Sequence, residues 1–318
     1  MHLPDGFLDA RTALLTSGVA VAGVGMALRQ VRTSLEPRQM PMLGLGAAFV
    51  FAAQMLNFPI AGGTSGHLIG GVLVSILLGP GAAVLVMTCV LMVQCLMFAD
   101  GGLTSLGANV FNMAVVNVCA GYFVFKLAKT FVRTGHERGA VFAAAFAGWF
   151  GTVLASVVCA GELALSKTVP WPIAFPAMVN VHMLVGIGEG LATGLILLAV
   201  LRARPQLMAG NQSTAAAVRY GDLGYGVLVC LGLVLFVAPF ACPWPDGLES
   251  LGERLGLRPK AMAAPLSGYQ FPFIGSASAA TAVAGAIGTV VAFIAAYMLA
   301  RAVVPALGSP KKDAPSGN

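Results

Sequence analysis

Long uncharged, apolar stretches alternate with short polar segments along the whole chain. The uncharged runs cover residues 12–28, 39–99, 101–125, 139–161, 223–245 and 261–300. A further run, 168–201, is interrupted only by Glu189. A helix needs about 20 residues to cross the hydrocarbon core of a bilayer, and lipid offers no partner to an unpaired backbone group. The pattern therefore predicts an all-α protein that crosses a membrane many times.

The longest uncharged run, residues 39–99, is long enough for two or three crossings. Turn signals interrupt it at Asn57-Phe58-Pro59, at Ala61-Gly62-Gly63 and at Gly79-Pro80-Gly81. They divide the run into helical segments over about 40–57, 66–79 and 81–98. The middle segment is short for a full span, so we expect it to be tilted or to thin the membrane locally.

The distribution of basic residues tests this count. With nine helices and an external N-terminus, 13 of the 18 Lys and Arg residues fall on the cytoplasmic side, as cytoplasmic loops favour. With only two crossings in the long run, the basic cluster at 126–138 would face outward. The sequence therefore predicts nine helices, with the N-terminus outside and the C-terminus inside.

A polar segment over residues 203–222 divides the apolar pattern into two parts. We expect a seven-helix body over 1–202, a cytoplasmic linker over 203–222, a two-helix appendage over 223–302 and a disordered tail over 303–318. The first apolar run is not expected to be a cleaved signal peptide, because its basic residues follow it instead of preceding it.

Composition limits the function. The chain is 58% hydrophobic and 9% charged, with a mean hydropathy of +0.87, whereas a soluble domain carries about 25% charged residues. These values exclude a soluble enzyme, a disordered regulator and a nucleic-acid binder. The chain also contains no phosphate-binding loop of the G-x-x-x-x-G-K-[ST] type, so it is not expected to hydrolyse ATP itself.

Three of the four histidines are expected to reach one cavity on the external side. His2 lies at the N-terminus, His67 is the sole acidic or basic side chain of the 39–99 run, and His182 lies in the seventh predicted helix. His136 lies among Lys and Arg residues and is interpreted as a solvated loop residue. A histidine inside a membrane protein indicates function, although a packing hydrogen bond between helices is the alternative.

The first two residues form a chelating unit. The Met1 amine, the His2 amide nitrogen and His2 Nδ1 can close a five-membered and a six-membered ring on one ion, and a nitrogen of His67 would complete a square. A bulky second residue also hinders removal of Met1. Planar nitrogen ligation favours Ni(II) or Cu(II) over Zn(II), with Co(II) an alternative. An ordinary start that happens to have histidine second is the competing interpretation.

Other polar side chains are candidates to support these ligands. Thr64 and Ser65 can donate hydrogen bonds to a ligating imidazole. Asn109 lies in a predicted span, and His182 and Glu189 are seven residues apart on one face of another. A buried structural role is the alternative for Glu189, and glycine-mediated helix packing is the alternative for Gly62, Gly66 and Gly70.

Several segments resemble one family of proteins. Met1-His2-Leu3-Pro4-Asp5-Gly6-Phe7-Leu8 and Gly62-Gly63-Thr64-Ser65-Gly66-His67-Leu68 are similar to the two ligand segments of the CbiM/NikM family. This family is the substrate-specific component of energy-coupling-factor (ECF) nickel and cobalt transporters. The resemblance covers about 1–202. In addition, Pro245-Asp246-Gly247-Leu248-Glu249 resembles the PDGLE motif of the small CbiN/NikN partner, here fused to the body.

The resemblance implies a subunit of an uptake system in a bacterial inner membrane. It implies Met1, His2 and His67 as metal ligands, but no ligand role for His182 or Glu189. It also implies a transmembrane coupling subunit of the CbiQ/NikQ type and ATPase subunits of the CbiO/NikO type as partners. Ni²⁺ or Co²⁺ is then the transported substrate, with nickel preferred, and no catalytic cofactor is expected.

Three rivals remain open from the sequence. One is a membrane-embedded zinc metalloenzyme that uses His67, His182 and Glu189. The others are a passive channel, which would conduct without an ATPase, and a structural scaffold, which would bind no metal.

Overall fold

The structure, a computed structural model, describes residues 1–131, 137–203, 220–260 and 262–304. These residues form a bundle of helices with one short β-hairpin. The helices of two turns or more, α1 to α10 in chain order, are Ala10–Ser34, Met40–Gln54, Gly71–Leu78, Pro80–Phe98, Leu106–Phe131, Glu137–Leu165, Trp171–Ala203, Tyr220–Phe236, Gly247–Arg254 and Ala277–Val303. The hairpin strands are β1, Phe58–Ile60, and β2, Thr64–Gly66.

Seven helices are long and apolar enough to cross a membrane: α1, α4, α5, α6, α7, α8 with the turn that follows it, and α10. The predicted multi-pass helical membrane fold is therefore confirmed. Helix α2 has 15 residues and α3 has 8. At about 1.5 Å per residue, α3 is only about 12 Å long, against about 30 Å of hydrocarbon. The count of nine crossings stays a prediction, as does the orientation.

The segment over 66–79 differs from its prediction. It becomes helical only at Gly71, so His67 precedes the helix instead of lying at its end. The residues before it form the hairpin, in which Phe58 pairs with Gly66 and Ile60 with Thr64. The turn between the strands contains Gly62 and Gly63 at φ of 83° and 76°, a backbone conformation that glycine adopts without strain. Gly62 and Gly63 therefore form a turn, and this segment does not make the helix–helix contact that the glycine spacing offered as an alternative.

Helices α6 and α7 pack closely against each other in the body. A Cβ atom placed on Gly190 of α7 would lie 2.5 Å from the backbone oxygen of Ala145 in α6. Small residues permit such close approach between helices in a membrane. This contact fixes the face of α7 that carries His182 and Glu189.

The appendage packs against the body. Phe293 of α10 lies on Gly44 of α2, and Gly288 of α10 faces Phe51 of α2. The loop between α8 and α10 carries the short helix α9 across one end of the bundle. The predicted linker, 203–222, lies mostly outside the described residues, as does the predicted tail from residue 305 onward.

Candidate metal centre

The N-terminal segment is folded into the bundle. Met1, His2 and Leu3 are buried. Asn109 of α5 pairs with the main chain of Leu3 on both sides: its Oδ1 accepts from the Leu3 N–H at 2.7 Å, and its Nδ2 donates to the Leu3 carbonyl at 3.1 Å. Buried backbone groups need such partners. Asn109 therefore anchors the first three residues, while α1 begins behind them at its N-cap Asp9.

A buried, non-helical stretch of chain carries His67 towards the N-terminus. Its backbone finds partners on two helices. Glu189 of α7 accepts the N–H groups of Ile69 and Gly70 at 2.7 and 2.8 Å, and Gln54 of α2 donates to the Ile69 carbonyl at 2.9 Å. Irregular backbone inside a membrane protein is tolerated when protein groups satisfy it in this way.

The Met1 amine and the His67 ring meet at the centre of the site. The amine nitrogen lies 3.3 Å from His67 Nε2, and the His2 and His67 rings are stacked with centroids 5.2 Å apart. His67 Nδ1 lies 3.0 Å from the Leu68 carbonyl, which can only accept a hydrogen bond. His67 Nδ1 therefore carries the ring proton, and the lone pair of Nε2 faces the amine.

The third participant is Asp246, from the appendage loop. Its Oδ2 lies 2.5 Å from the Met1 nitrogen, and its Oδ1 accepts the N–H groups of Leu248 and Glu249 at the start of α9. Glu249 completes a capping box by accepting the Asp246 N–H. One oxygen of this carboxylate is thus held by the amine and the other by the start of α9. The ion pair joins two residues that are 245 positions apart in the sequence.

The charges around the amine shift several pKa values. Burial lowers the pKa of the Met1 amine, but Asp246, with Asp100 and Glu249, more than offsets this and leaves the pKa raised. Burial, followed by the charge of the amine, lowers the pKa of His67 to about 3. Burial also lowers the pKa of His2. At neutral pH the site therefore contains a charged amine beside two neutral imidazoles.

A polar cavity of about 570 Å³ opens beside the site. His2 and Asp246 line it, together with four further carboxylates, Asp5, Asp100, Glu249 and Glu253, and one basic residue, Lys260. Its excess of acidic groups favours cations over anions. The cavity gives a cation a polar approach to His2 and to Asp246, the partner of the Met1 amine.

The other predicted support residues have different partners from those expected. Thr64 Oγ1 donates to the Ala61 carbonyl at 3.2 Å, and Ser65 Oγ to the Trp244 carbonyl at 2.6 Å. The expectation that these hydroxyls bond a ligating imidazole is therefore wrong. They brace the hairpin and fasten it to the appendage loop, because short hydroxyl side chains in a turn reach the nearest carbonyls first.

His182 and Glu189 contact different groups and do not form one site together. His182 lines a small cavity with Met1 and His67, and its Nδ1 lies 2.7 Å from the Met178 carbonyl one turn earlier. The Glu189 carboxylate is engaged by Ile69 and Gly70, so it supports the His67 segment instead of joining His182 in a ligand set. Among the described residues, no group of three or more His, Cys, Asp or Glu side chains is arranged to hold a metal.

Sequence reasoning did not assign roles to Asp246, Gln54 or Gln94. Asp246 was visible within the Pro245–Glu249 motif, but nothing local places it at residue 1. Gln54 and Gln94 are the single glutamines of α2 and α4, and an amide inside an apolar helix is itself a signal of a buried network.

Fold and site together define a multi-pass membrane protein with a buried, nitrogen-rich pocket next to an acidic cavity. The chain belongs to the CbiM family, whose model, described as the cobalt uptake substrate-specific transmembrane region, matches residues 2–207. It is thus a metal-transport protein and not an enzyme. The zinc metalloenzyme built on His67, His182 and Glu189 is accordingly excluded.

Relatives and a solved structure agree with this assignment. The putative fused nickel transport protein NikMN of Archaeoglobus fulgidus is 36% identical over 307 residues, 95% of this chain and 98% of that protein. The fused nickel transport protein NikMN of Rhodobacter capsulatus is 33% identical over 247 residues, 73% of this chain and 71% of that protein. A crystal structure of a truncated transition metal transporter is 33% identical with a TM-score of 0.59, and covers 64% of this chain and 99% of that one.

Proposed function

We propose that the chain is the substrate-capturing subunit of an ECF-type importer for Ni²⁺ or Co²⁺, with nickel preferred. The observation that carries this proposal is the approach of the Met1 amine to His67 Nε2, at 3.3 Å inside a buried pocket. Two nitrogens that bind one ion at about 2.0 Å lie at most about 4 Å apart. The Met1 amine and His67 Nε2 are within that limit.

The proposed ligands are the Met1 amine, the His2 amide nitrogen, His2 Nδ1 and His67 Nε2. Three of these belong to the first two residues of the chain, so a single ion closes two fused rings and places three nitrogens in a plane. His67 supplies the fourth corner. Planar nitrogen ligation favours Ni(II) over ions that prefer tetrahedral or octahedral oxygen sites. The nickel transport names of two fused relatives point to the same metal.

Metal capture must displace protons. The Met1 amine is charged and paired with Asp246 in the metal-free protein, and a ligating amine and amide must both be deprotonated. The ion therefore takes the place of the amine proton beside Asp246. Because protons are released, metal binding strengthens as pH rises. Asp246 of the appendage loop thus contacts the Met1 amine, which loses its proton when metal binds.

The proposed partners are a transmembrane coupling subunit and a pair of ATPase subunits, because this chain has no phosphate-binding loop of its own. The proposed location is the inner membrane of a bacterium. Basic residues on the predicted cytoplasmic side would face these partners. The appendage is proposed to aid loading of the metal, since its loop lines the cavity beside the site.

The test is a cleavable extension in front of Met1. Peptide linkage removes the free amine while leaving every helix unchanged, so nickel binding by the purified chain should be abolished. Removal of the extension regenerates the amine and should restore binding, which makes the same preparation its own control. Nickel binding that survives the extension would contradict the proposed ligand set. His67→Ala should also abolish binding while the protein stays folded.

A further inference from the structure

A chain of hydrogen bonds runs from the His2 ring to the backbone beside His67. His2 Nε2 lies 3.2 Å from Gln94 Oε1, Gln94 Nε2 donates to Gln54 Oε1 at 2.8 Å, and Gln54 Nε2 donates to the Ile69 carbonyl at 2.9 Å. Gln94 is fully buried and Gln54 almost so. We refer to Gln94 and Gln54 as the glutamine relay.

The direction of the relay is fixed at its far end. The Ile69 carbonyl can only accept, so the amide group of Gln54 must turn its Nε2 towards it and its Oε1 towards Gln94. Gln94 must then donate to Gln54, which turns Gln94 Oε1 towards His2. A carbonyl oxygen in that position requires a donor opposite, so His2 Nε2 carries a proton.

From this directionality we propose that Gln54 and Gln94 are positioning residues that hold His2 in the tautomer with Nδ1 free for the metal. This inference rests on the proposed function, because Nδ1 is the ring nitrogen that can close the six-membered chelate ring. An outer hydrogen bond to the remote nitrogen commonly sets the tautomer and orientation of a ligating histidine.

The opposite tautomer conflicts with the relay. With the proton on Nδ1, the lone pair of Nε2 would face Gln94 Oε1. Rotating both amides to relieve this contact would point Gln54 Oε1 at the Ile69 carbonyl, two acceptors against each other in a buried place. Asp100, whose Oδ1 lies 3.2 Å from His2 Nδ1, favours a proton on that nitrogen. Before metal binds, the relay therefore holds the proton on Nε2 against the pull of Asp100, so that Nδ1 offers its lone pair when the metal replaces Asp100 as its partner.

The relay also links the two halves of the site. Ile69 is two residues after His67, and its N–H is held by Glu189. His2 and the His67 segment are thus tied to one another through α2 and α4. Gln94 begins the π-helical turn Gln94–Phe98, and such turns are frequent at functional sites. A shift of either glutamine would change the tautomer of His2 and the separation of the two imidazoles together.

The experiment compares two substitutions of one residue. Gln94→Leu removes the acceptor at nearly constant size. Gln94→Glu keeps an acceptor for His2, and when protonated in its buried place the new carboxyl group can still donate to Gln54. We expect Gln94→Leu to weaken nickel binding about 10- to 100-fold and to alter the visible absorption of bound nickel, whereas Gln94→Glu stays near the wild-type affinity and spectrum.

The tautomer itself is read in the metal-free wild-type chain by ¹⁵N NMR of labelled histidine, with the His2 signal assigned from a His2→Ala sample. The expected result is a proton on Nε2. A proton on Nδ1 alone overturns the inference whether or not the variants fold. Wild-type affinity in Gln94→Leu, or equal loss in both Gln94 variants, also overturns it. A wild-type chain that binds no nickel would instead refute the proposed function, and the NMR result would still decide the relay.

Discussion

Two buried polar regions of the bundle are built in different ways. At the candidate metal centre, Glu189 has both carboxylate oxygens occupied by backbone N–H groups. In the interface between α5 and α6, Glu162 accepts from Asn112 at 2.7 Å, yet Glu162 Oε1, Asn112 Oδ1 and both side-chain polar atoms of Asn117 are without a hydrogen-bond partner in the described part of the chain. Both regions contain polar side chains within apolar helices. In the first region these side chains are joined by hydrogen bonds into one network, whereas in the second several polar atoms have no partner among the described residues.

The difference concerns what each carboxylate orients. Glu189 holds the backbone two and three residues after His67, so its removal should reach a ligand. Glu162 bonds one amide side chain and touches no group of the candidate metal centre through any described hydrogen bond. A buried carboxylate in a membrane helix is therefore informative only once its partners are known.

The largest expected difference between the two regions is in nickel affinity when each carboxylate is replaced by an amide. Glu189→Gln leaves one of the two N–H groups of Ile69 and Gly70 without an acceptor and places an NH₂ group against it. We expect nickel binding to weaken about 10- to 100-fold. Glu162→Gln is the matched control, because its remaining oxygen still accepts from Asn112, and its nickel affinity should stay at the wild-type value. Isothermal titration of both variants decides the point, and equal losses would show that the two regions do not differ.

The next effect is on the pH dependence of binding. Asp246→Asn removes the charge that raises the pKa of the Met1 amine but keeps a good helix N-cap. The amine should then lose its proton more easily, so the pH of half-maximal nickel binding should fall by about one unit or more. Glu253→Gln changes another carboxyl of the same cavity and should leave that pH nearly unchanged. His67, with a pKa of about 3, is neutral throughout this range and adds no step. An unshifted midpoint in Asp246→Asn would contradict the role assigned to the ion pair.

The same ion pair should stabilise the metal-free protein within a defined pH window. The amine has a raised pKa, so its contribution is present below its unfolded value of about 8 and is lost as pH rises through the folded value. Asp246 has a pKa depressed by the amine, although burial opposes this. Its contribution is present above its unfolded value of about 3.9 and is lost as pH falls through the folded value. Melting curves of wild type and Asp246→Asn should therefore differ most between about pH 4 and 8, and a pH-independent difference would argue for a packing effect instead.

The smallest expected effect comes from the hairpin. A Cβ atom on Gly66 would lie 2.5 Å from Val185 Cγ2 and 2.7 Å from Ile60 Cδ1. Gly66→Ala should destabilise the chain by about 1–3 kcal/mol through overpacking. Adding Val185→Ala removes the nearer obstacle and should recover most of the loss. A double variant as unstable as Gly66→Ala would mean that the backbone, and not Val185, sets the limit.

The sequence predicts the parts of this molecule that depend on local pattern. Long uncharged runs predict the spanning helices, and Gly79-Pro80 predicts the break before α4. Met1, His2 and His67 lie close together in the structure, and their role as metal ligands stays a prediction. The pattern does not predict the β-hairpin. Its residues carry no charge, so they are interpreted as a continuation of the apolar helical segments with glycine turns between them.

What the sequence does not predict depends on contacts between distant segments. The relay needs Gln54 and Gln94, on two different helices, to meet at a depth that only packing determines. Asp246 reaches Met1 because the hairpin binds the appendage loop, through Ser65 Oγ and the Trp244 carbonyl. The sequence marks Gln54 and Gln94 as single amides in apolar helices, but no periodic or compositional signal says which groups these residues or Asp246 contact.

The central claim is that Met1, His2 and His67 bind one nickel ion through four nitrogens in a plane. X-ray absorption spectroscopy of the nickel-loaded wild-type chain, compared with His67→Ala at the same loading, tests this claim most directly. We expect a planar set of four nitrogen neighbours in the wild type and the loss of one of them, with the signature of the imidazole ring of His67, in the variant. A six-coordinate, oxygen-rich ion, or a spectrum that His67→Ala leaves unchanged, would contradict it.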